Sequence, residues 1–404
     1  MSFSDPATPG PLRSSLHAAP PGGKPHNAPE LRRDVPGQQR IPLRAIPTWD
    51  DGRVPAPDGP QQDTGALSGG RRRASGGGHP DGDTLRSPRG RGDHARPFFD
   101  LDVPSGGYAW WYIDGVSDDG KRAVSVIGFI GSVFSPWFHW SGRHTPANHC
   151  CINVATYGPG GRFAMTDRGT SALRTSPDQF AVGPSSMTWT GDQLVIDINE
   201  VSSLPLISRM RGRITLTPSA ITNVELPLTP DGAHIWRPFA PVSDITVDLE
   251  AKGWQFNGHG YFDSNFGTRP LEHDFSYWTW GRYPTQAGAT CFYDATRRDG
   301  TTLEAAVAFS DTGAAEIVSA PPRTPFKRTL WALRRETRAD PGTTPRQTKA
   351  MLDAPFYSRA VVETQINGEK TQGVHEALDL KRYANPLLKP MLAVRVPRRA
   401  KWVF

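Results

Sequence analysis

Three cysteines in 404 residues, Cys150, Cys151 and Cys291, are too few and too odd in number for a disulfide framework, and they fit a reducing compartment. Missing too is any run of roughly 18 consecutive apolar residues, the length a membrane-spanning helix needs. The first residues hold no apolar stretch of the kind a secretory signal carries. If a membrane matters, the expected protein sits on its surface. No Gly-rich loop joins a strand to a helix, and there is no P-loop, no GxSxG and no paired CxxC. With those motifs absent, the chain is expected to work with no cofactor and no metal. The basic excess is mild, a net charge of +6, and forms no long stripe interleaved with aromatics, so nucleic acid is not expected as a partner.

What the chain does have is unevenly spread. Residues 1–95 are rich in Pro, Gly, Ser, Arg and Asp, with runs such as Gly69-Gly70-Arg71-Arg72-Arg73 and no apolar periodicity. Such a stretch buries too little surface to offset chain entropy, and a disordered leader is expected there. Nearly all of the 12 Trp and 18 Phe lie after residue 97. From that point short strand-like runs recur between turn signals. Segments 109–114 and 123–132 flank Asp118-Asp119-Gly120-Lys121, and 360–366 and 373–377 flank Asn367-Gly368, two hairpin signatures. The turn Pro230-Asp231-Gly232 divides the strands into two series of similar size.

The reading is all-β: two tandem antiparallel β domains, 96–232 and 233–385, behind the leader, with a basic-aromatic tail over 386–404. Segment 326–337 is mixed, readable as strand or helix. A short amphipathic helix is expected over 378–387. The tail mixes Met391, Trp402 and Phe404 with Arg395, Arg398, Arg399 and Lys401. Such a composition suits an anionic lipid surface, and equally a segment packed back on a domain.

Two sets of residues raise questions of chemistry. His149-Cys150-Cys151 has the residue types of a metal site. Successive side chains of a strand point to opposite faces, so the three do not converge on one ion. The second set is His234 with Trp236 and Tyr261 with Asp263, each pair two residues apart and so on one face of an extended segment. If the segments meet, one cavity receives a carboxyl, an imidazole and two π-faces. That combination suits protonation of an isolated alkene: an apolar pocket keeps the carboxyl protonated, and aromatic faces attract the resulting cation at about 0.5–2 kcal/mol each. Asp263-Ser264-Asn265 also reads as a turn, Trp236 and Tyr261 as core aromatics, and His234 as a structural histidine.

The segments Gly106-Gly107-Tyr108-Ala109-Trp110-Trp111-Tyr112, Gly128-Phe129-Ile130-Gly131-Ser132-Val133-Phe134-Ser135-Pro136 and Ala164-Met165-Thr166-Asp167-Arg168 are long and specific. With His234-Ile235-Trp236-Arg237-Pro238 and Gly260-Tyr261-Phe262-Asp263-Ser264-Asn265, they resemble the carotenoid 1,2-hydratase (hydroxyneurosporene synthase) family of phototrophic bacteria over roughly 97–395. The resemblance implies a lipocalin-like pair of β-barrels, a fold shared with some pericyclases. It implies a hydro-lyase that adds water to the terminal C1=C2 bond of acyclic carotenoids such as neurosporene and lycopene. It implies Asp263 as proton donor, with His234, Trp236 and Tyr261 around it. The expected partners are that substrate, water and, at the periphery, membrane lipid on the cytoplasmic side. A carotenoid carrier without chemistry and a pericyclase are the alternative functions.

Overall fold

The computed structural model describes residues 95–204 and 207–401. The expected leader, apart from its last residue, and Trp402 and Phe404 of the tail lie outside the described residues. Within them the all-β expectation holds: two sheets, one of fourteen strands and one of seven, antiparallel but for one short parallel pair, with a two-stranded ribbon and only short helices.

The first hairpin forms where its turn chemistry places it. Tyr108–Ser117 pairs with Ala123–Ile130 in antiparallel register. Between them Asp119 accepts the Lys121 N–H and the Ser117 hydroxyl, while Gly120 takes φ +68°, a conformation glycine adopts without a Cβ penalty. Ala123–Ile130 then pairs with Cys150–Tyr157. The sheet continues on the other side of Tyr108–Ser117 through Gln255–Gly267, His234–Leu249, Arg209–Pro218 and Leu194–Val201.

Alternate residues of these strands gather in one apolar core. Trp111 and Ile113, Val124 and Val126, Phe262 and Phe266 all point into it. Phe180, from a distant strand of the same sheet, presses on Gly128, where a Cβ would stand 2.7 Å from its ring. The sheet is thus curled around its own core, as the lipocalin-like reading implies.

The alternate set, Trp110, Tyr112 and Asp114 with Tyr261, Asp263 and Asn265, must by the pleat face the opposite way, and these residues meet the second sheet. That sheet contains Phe275–Thr285, Gly288–Arg297, Tyr357–Ile366 and Glu369–Asp379 near its centre. Both faces of the first sheet's middle strands are therefore covered, and Ala123–Ile130 is buried at every position.

Three expectations need correction. His234–Leu249 and Gln255–Gly267, read as the start of the second series, hydrogen-bond into the first sheet. The sheets part between Gly267 and Phe275. The turn at 230–232 is present, with Gly232 at φ +70°, but a turn shows where a strand begins and not which strand it joins. His234–Leu249 also carries two register shifts, between Arg237 and Ala240 and between Ala240 and Ser243. Pro238 and Pro241, lacking N–H donors, fall within them. Second, the expected helix over 378–387 is broken in two, an α-helical turn at Leu380–Tyr383 and a 3-10 turn at Pro386–Leu388. Glu369–Asp379 runs as strand to its end, and Leu380–Tyr383 makes a single turn before Asn385-Pro386, where the proline disfavours helix in the residue before it. Third, segment 326–337 is neither one strand nor one helix. Arg323–Phe326 and Arg335–Arg338 are two short strands paired across a turn.

The tail packs back on the first sheet. Lys389–Arg395 is helical, the Trp137 indole N–H donates to the Val396 carbonyl at 2.7 Å, and Arg398–Arg399 pairs in parallel with Asp167–Arg168.

Candidate active site

Asp263 sits where the two sheets face each other, 4% exposed. Its Oδ2 accepts two hydrogen bonds, from the Trp236 indole N–H at 2.8 Å and the Tyr261 hydroxyl at 2.8 Å. The backbone makes this arrangement natural. Tyr261 and Asp263 share a strand face, and Trp236 pairs across the ladder with Asn265, two residues further on. The other oxygen, Oδ1, is buried and has no hydrogen-bond partner. A buried, unpartnered carboxylate oxygen is costly, whereas a carboxylic acid holding its proton there is far less so. Burial accordingly pushes the Asp263 pKa up to about 8, against the two donated hydrogen bonds and with the help of the Glu376 and Asp114 charges.

Asp263 lines a cavity of about 40 Å³ walled by aromatic rings, among them Trp110, Tyr112, Phe129, Trp278, Trp280 and Tyr293. Two further buried polar atoms on its wall lack partners, Asn265 Nδ2 and Trp280 Nε1. Such a space holds water-sized groups, and its orphan polar atoms supply their partners. A second cavity of about 360 Å³ adjoins it, the two sharing Ile127, Phe134, Tyr357 and Arg359 as walls.

Two ion pairs flank the rings, and one of them, Arg359 with Glu376, lines the cavity itself. Asp114 accepts the Tyr112 hydroxyl at 2.8 Å and the Arg282 Nε–H at 2.8 Å. Arg282 lies over the Tyr261 ring, 5.9 Å from its centre. Arg359 lies over Tyr112 at 4.9 Å and donates to Glu376 at 2.6 Å. The two cationic side chains nearest the cavity are thus each bound to a carboxylate.

Of the four residues singled out in the sequence, three come together: Asp263, Trp236 and Tyr261. His234 does not join them. Its Nε2 faces Asp274 Oδ2 at 2.7 Å, its Nδ1 faces the Tyr108 hydroxyl at 2.9 Å, and it is not among the residues lining the cavity. Burial holds its pKa below the ordinary value, opposed by the Asp274 carboxylate. Trp236 and Tyr261 also stand behind Asp263 and grip its far oxygen rather than walling the cavity. The rings that do wall it went unnoticed in the sequence, although Trp110 with Tyr112 and Trp278 with Trp280 have the same two-residue spacing that marked the others.

His149, Cys150 and Cys151 diverge as the strand alternation requires. Cys150 enters the apolar core, the Cys151 thiol faces Ser132, and His149 faces Asp167 at 3.2 Å. Among the described residues, no group of three or more His, Cys, Asp or Glu is placed to hold a metal ion.

The chain is similar to several known proteins. The acyclic carotenoid 1,2-hydratase of Cereibacter sphaeroides is 63% identical over 279 residues, 69% of this chain and 100% of that protein. The enzyme of the same name from Thiocapsa roseopersicina is 43% identical over 378 residues, covering 92% of this chain and 93% of its own. Among solved structures, a putative AttH from Nitrosomonas europaea aligns at a TM-score of 0.49 and 14% identity, over 68% of this chain and 92% of that one. The model of the family described as carotenoid hydratase CrtC matches residues 126–404, and the chain belongs to that family.

Proposed function

We propose that this protein is a hydro-lyase that adds water across the terminal C1=C2 double bond of acyclic carotenoids such as neurosporene and lycopene, in carotenoid biosynthesis. Family membership supports the reaction class. One observation supports the assignment of roles: a buried carboxyl held through one oxygen, its other oxygen without a hydrogen-bond partner, on a residue that lines a ring-walled cavity.

The polyene end approaches through the larger apolar cavity, past Phe134. Asp263 Oδ1–H delivers its proton to C2, and the π electron pair becomes the new C–H bond. The positive charge develops at tertiary C1, facing Trp110, Tyr112, Trp278 and Trp280. A water oxygen attacks C1, and the proton it sheds returns to Asp263. The sum is one water added and the acid restored. Trp236 and Tyr261 position Asp263 by occupying its Oδ2, which directs the proton to Oδ1. His234 positions Tyr108, whose ring stacks on Trp110 at 4.8 Å. Asn265 and Trp280 are on the cavity wall, and their N–H groups hold the attacking water.

The test is incubation with lycopene in H₂¹⁸O, followed by mass spectrometry. A product carrying ¹⁸O at its new hydroxyl is the expected result. Recovery of unchanged polyene would make the protein a carrier, and an isomerised product without ¹⁸O would make it a pericyclase. The water site has its own check: Trp280→Phe keeps a ring and removes the N–H. Turnover is expected to fall about tenfold, the size of one lost hydrogen bond in a desolvated site, with stability little changed.

The substrate's solubility also favours a peripheral position on a membrane, and the family resemblance is the ground for proposing its cytoplasmic side and a phototrophic bacterium. Fractionation of cells producing the protein, with salt washing of the membranes, tests that location.

A further inference from the structure

The larger cavity ends at a surface that the chemistry does not use. Its lining includes Trp331, Leu388, Met391, Leu392 and Arg395, from two separate segments. One is the turn 327–334, where Leu330 is 98% exposed and Trp331 50% exposed. The other is the C-terminal run through Pro386–Leu388 and Lys389–Arg395. Along it Leu388, Leu392 and Arg395 line the cavity, while Leu387, Met391 and Val394 stand 80%, 46% and 60% exposed. Both sets recur at helical spacing, so this short segment is apolar on two adjacent faces and only one of them is covered. Arg382 joins the segments, its guanidinium donating to the Trp331 carbonyl at 2.9 Å.

An exposed apolar crest at the rim of a substrate cavity asks what covers it. The surrounding charge gives the answer. From Leu380 to Lys401 there is no Asp or Glu, and Lys381, Arg399 and Lys401 are exposed. Lys327 and Arg328 precede the Leu330-Trp331 tip and are exposed as well, while Arg334 beyond it is exposed but paired with Glu336 at 2.6 Å. Asp353, at the rim, is occupied in accepting the Leu330 N–H at 3.1 Å. Apolar side chains ringed by cations, with a Trp at the boundary, match a lipid surface that carries anionic headgroups.

We infer that Leu330, Trp331, Leu387, Met391 and Val394 insert into an anionic bilayer, so that the larger cavity opens directly into the acyl layer and the polyene passes to Asp263 without crossing water. This inference rests on the proposed carotenoid hydration and turns its general membrane contact into a defined portal.

The test replaces only rim residues that do not line the cavity: Leu330→Ser, Leu387→Ser and Val394→Ser together, in the full chain. Flotation with phosphatidylcholine vesicles, with and without phosphatidylglycerol, reads binding. Hydration of lycopene is read both in those vesicles and in detergent micelles. Unaltered protein is expected to float with the phosphatidylglycerol vesicles and to be released by salt. The triple variant should bind at least about tenfold more weakly, since three apolar side chains no longer enter the acyl boundary. Its turnover should fall in vesicles and persist in micelles. Equal flotation and equal vesicle turnover by the two proteins would overturn the portal. So would a dimer of the unaltered protein that fails to float and that the triple variant dissolves, since a second copy would then cover the crest. Absence of turnover by both proteins in micelles would count against the hydratase reading, while the flotation result still decides the portal.

Discussion

Asp263→Asn is expected to lower kcat/KM for lycopene hydration by roughly 10³-fold or more, the scale of a lost general acid in a desolvated site. The variant should remain folded. Its amide oxygen can still accept from Trp236 and Tyr261, and its NH₂ occupies the place of the protonated Oδ1. What it loses is a transferable proton. In the unaltered protein the same proton sets the pH dependence: with the carboxyl pKa pushed up to about 8, first by burial, activity should be sustained below that pH and decline as pH rises through it. Rates measured across pH 5–10 with substrate held in micelles check both points.

The substitution should also stabilise the fold at alkaline pH. The Asp263 pKa is raised from an ordinary value of 3.8 to about 8. The folded protein therefore keeps a proton that the unfolded chain has already released above about pH 4. The contribution of that retained proton is fully present below the unfolded pKa and is lost as pH rises through about 8. Each tenfold difference in proton affinity between the folded and unfolded chain is worth about 1.4 kcal/mol, so the full cost amounts to several kcal/mol. Asparagine never ionises and escapes it. Thermal unfolding of the two proteins at pH 6 and pH 9 should show the variant's advantage growing with pH. An advantage independent of pH would mean that Asp263 is ionised in the folded protein at both values, and would remove it as the acid.

What was legible in the sequence was local. Asp119-Gly120 announced its hairpin because the carboxylate and the left-handed glycine act within a few residues. The two-residue spacing of Tyr261 and Asp263 put them on one face because the pleat requires it. Whether Trp236 would reach that face depended on register between strands separated by a bulge, which spacing alone does not settle. His234 shows the limit. It shares a face with Trp236, but it stands opposite Gly267 at the end of the sheet, where Tyr108 and Asp274 claim its nitrogens. The cavity itself was not legible, since its walls come from both sheets and are neighbours only after folding. Nor was the boundary between the sheets, because strand partners come from long-range pairing and the sequence marks only turns.

The second large effect is expected at the seam between the sheets. Asp114 lies on a strand of the first sheet and Arg282 on a strand of the second, both essentially without solvent access. Their ion pair is completed by the Tyr112 hydroxyl on the carboxylate and by His259, whose Nδ1 lies 2.7 Å from the guanidinium. Burial, then the nearby Arg282 charge, holds the His259 pKa down at about 3, so its ring is neutral and can accept. Arg282→Met leaves Asp114 charged, buried and without its cation, which should cost about 3–5 kcal/mol of unfolding free energy. Adding Asp114→Asn removes the stranded charge, and the double variant should recover a large part of the loss, because a neutral seam of similar volume has no desolvated ions to support. The site should feel the difference. The double variant loses one of the charges that raise the Asp263 pKa, so its activity should begin to decline at lower pH than that of the unaltered protein. Urea unfolding of the two single variants and the double variant measures the coupling. If the double variant is as unstable as Arg282→Met, the guanidinium acts at the seam through its packing over Tyr261, and the ion pair is not what joins the sheets across the cavity.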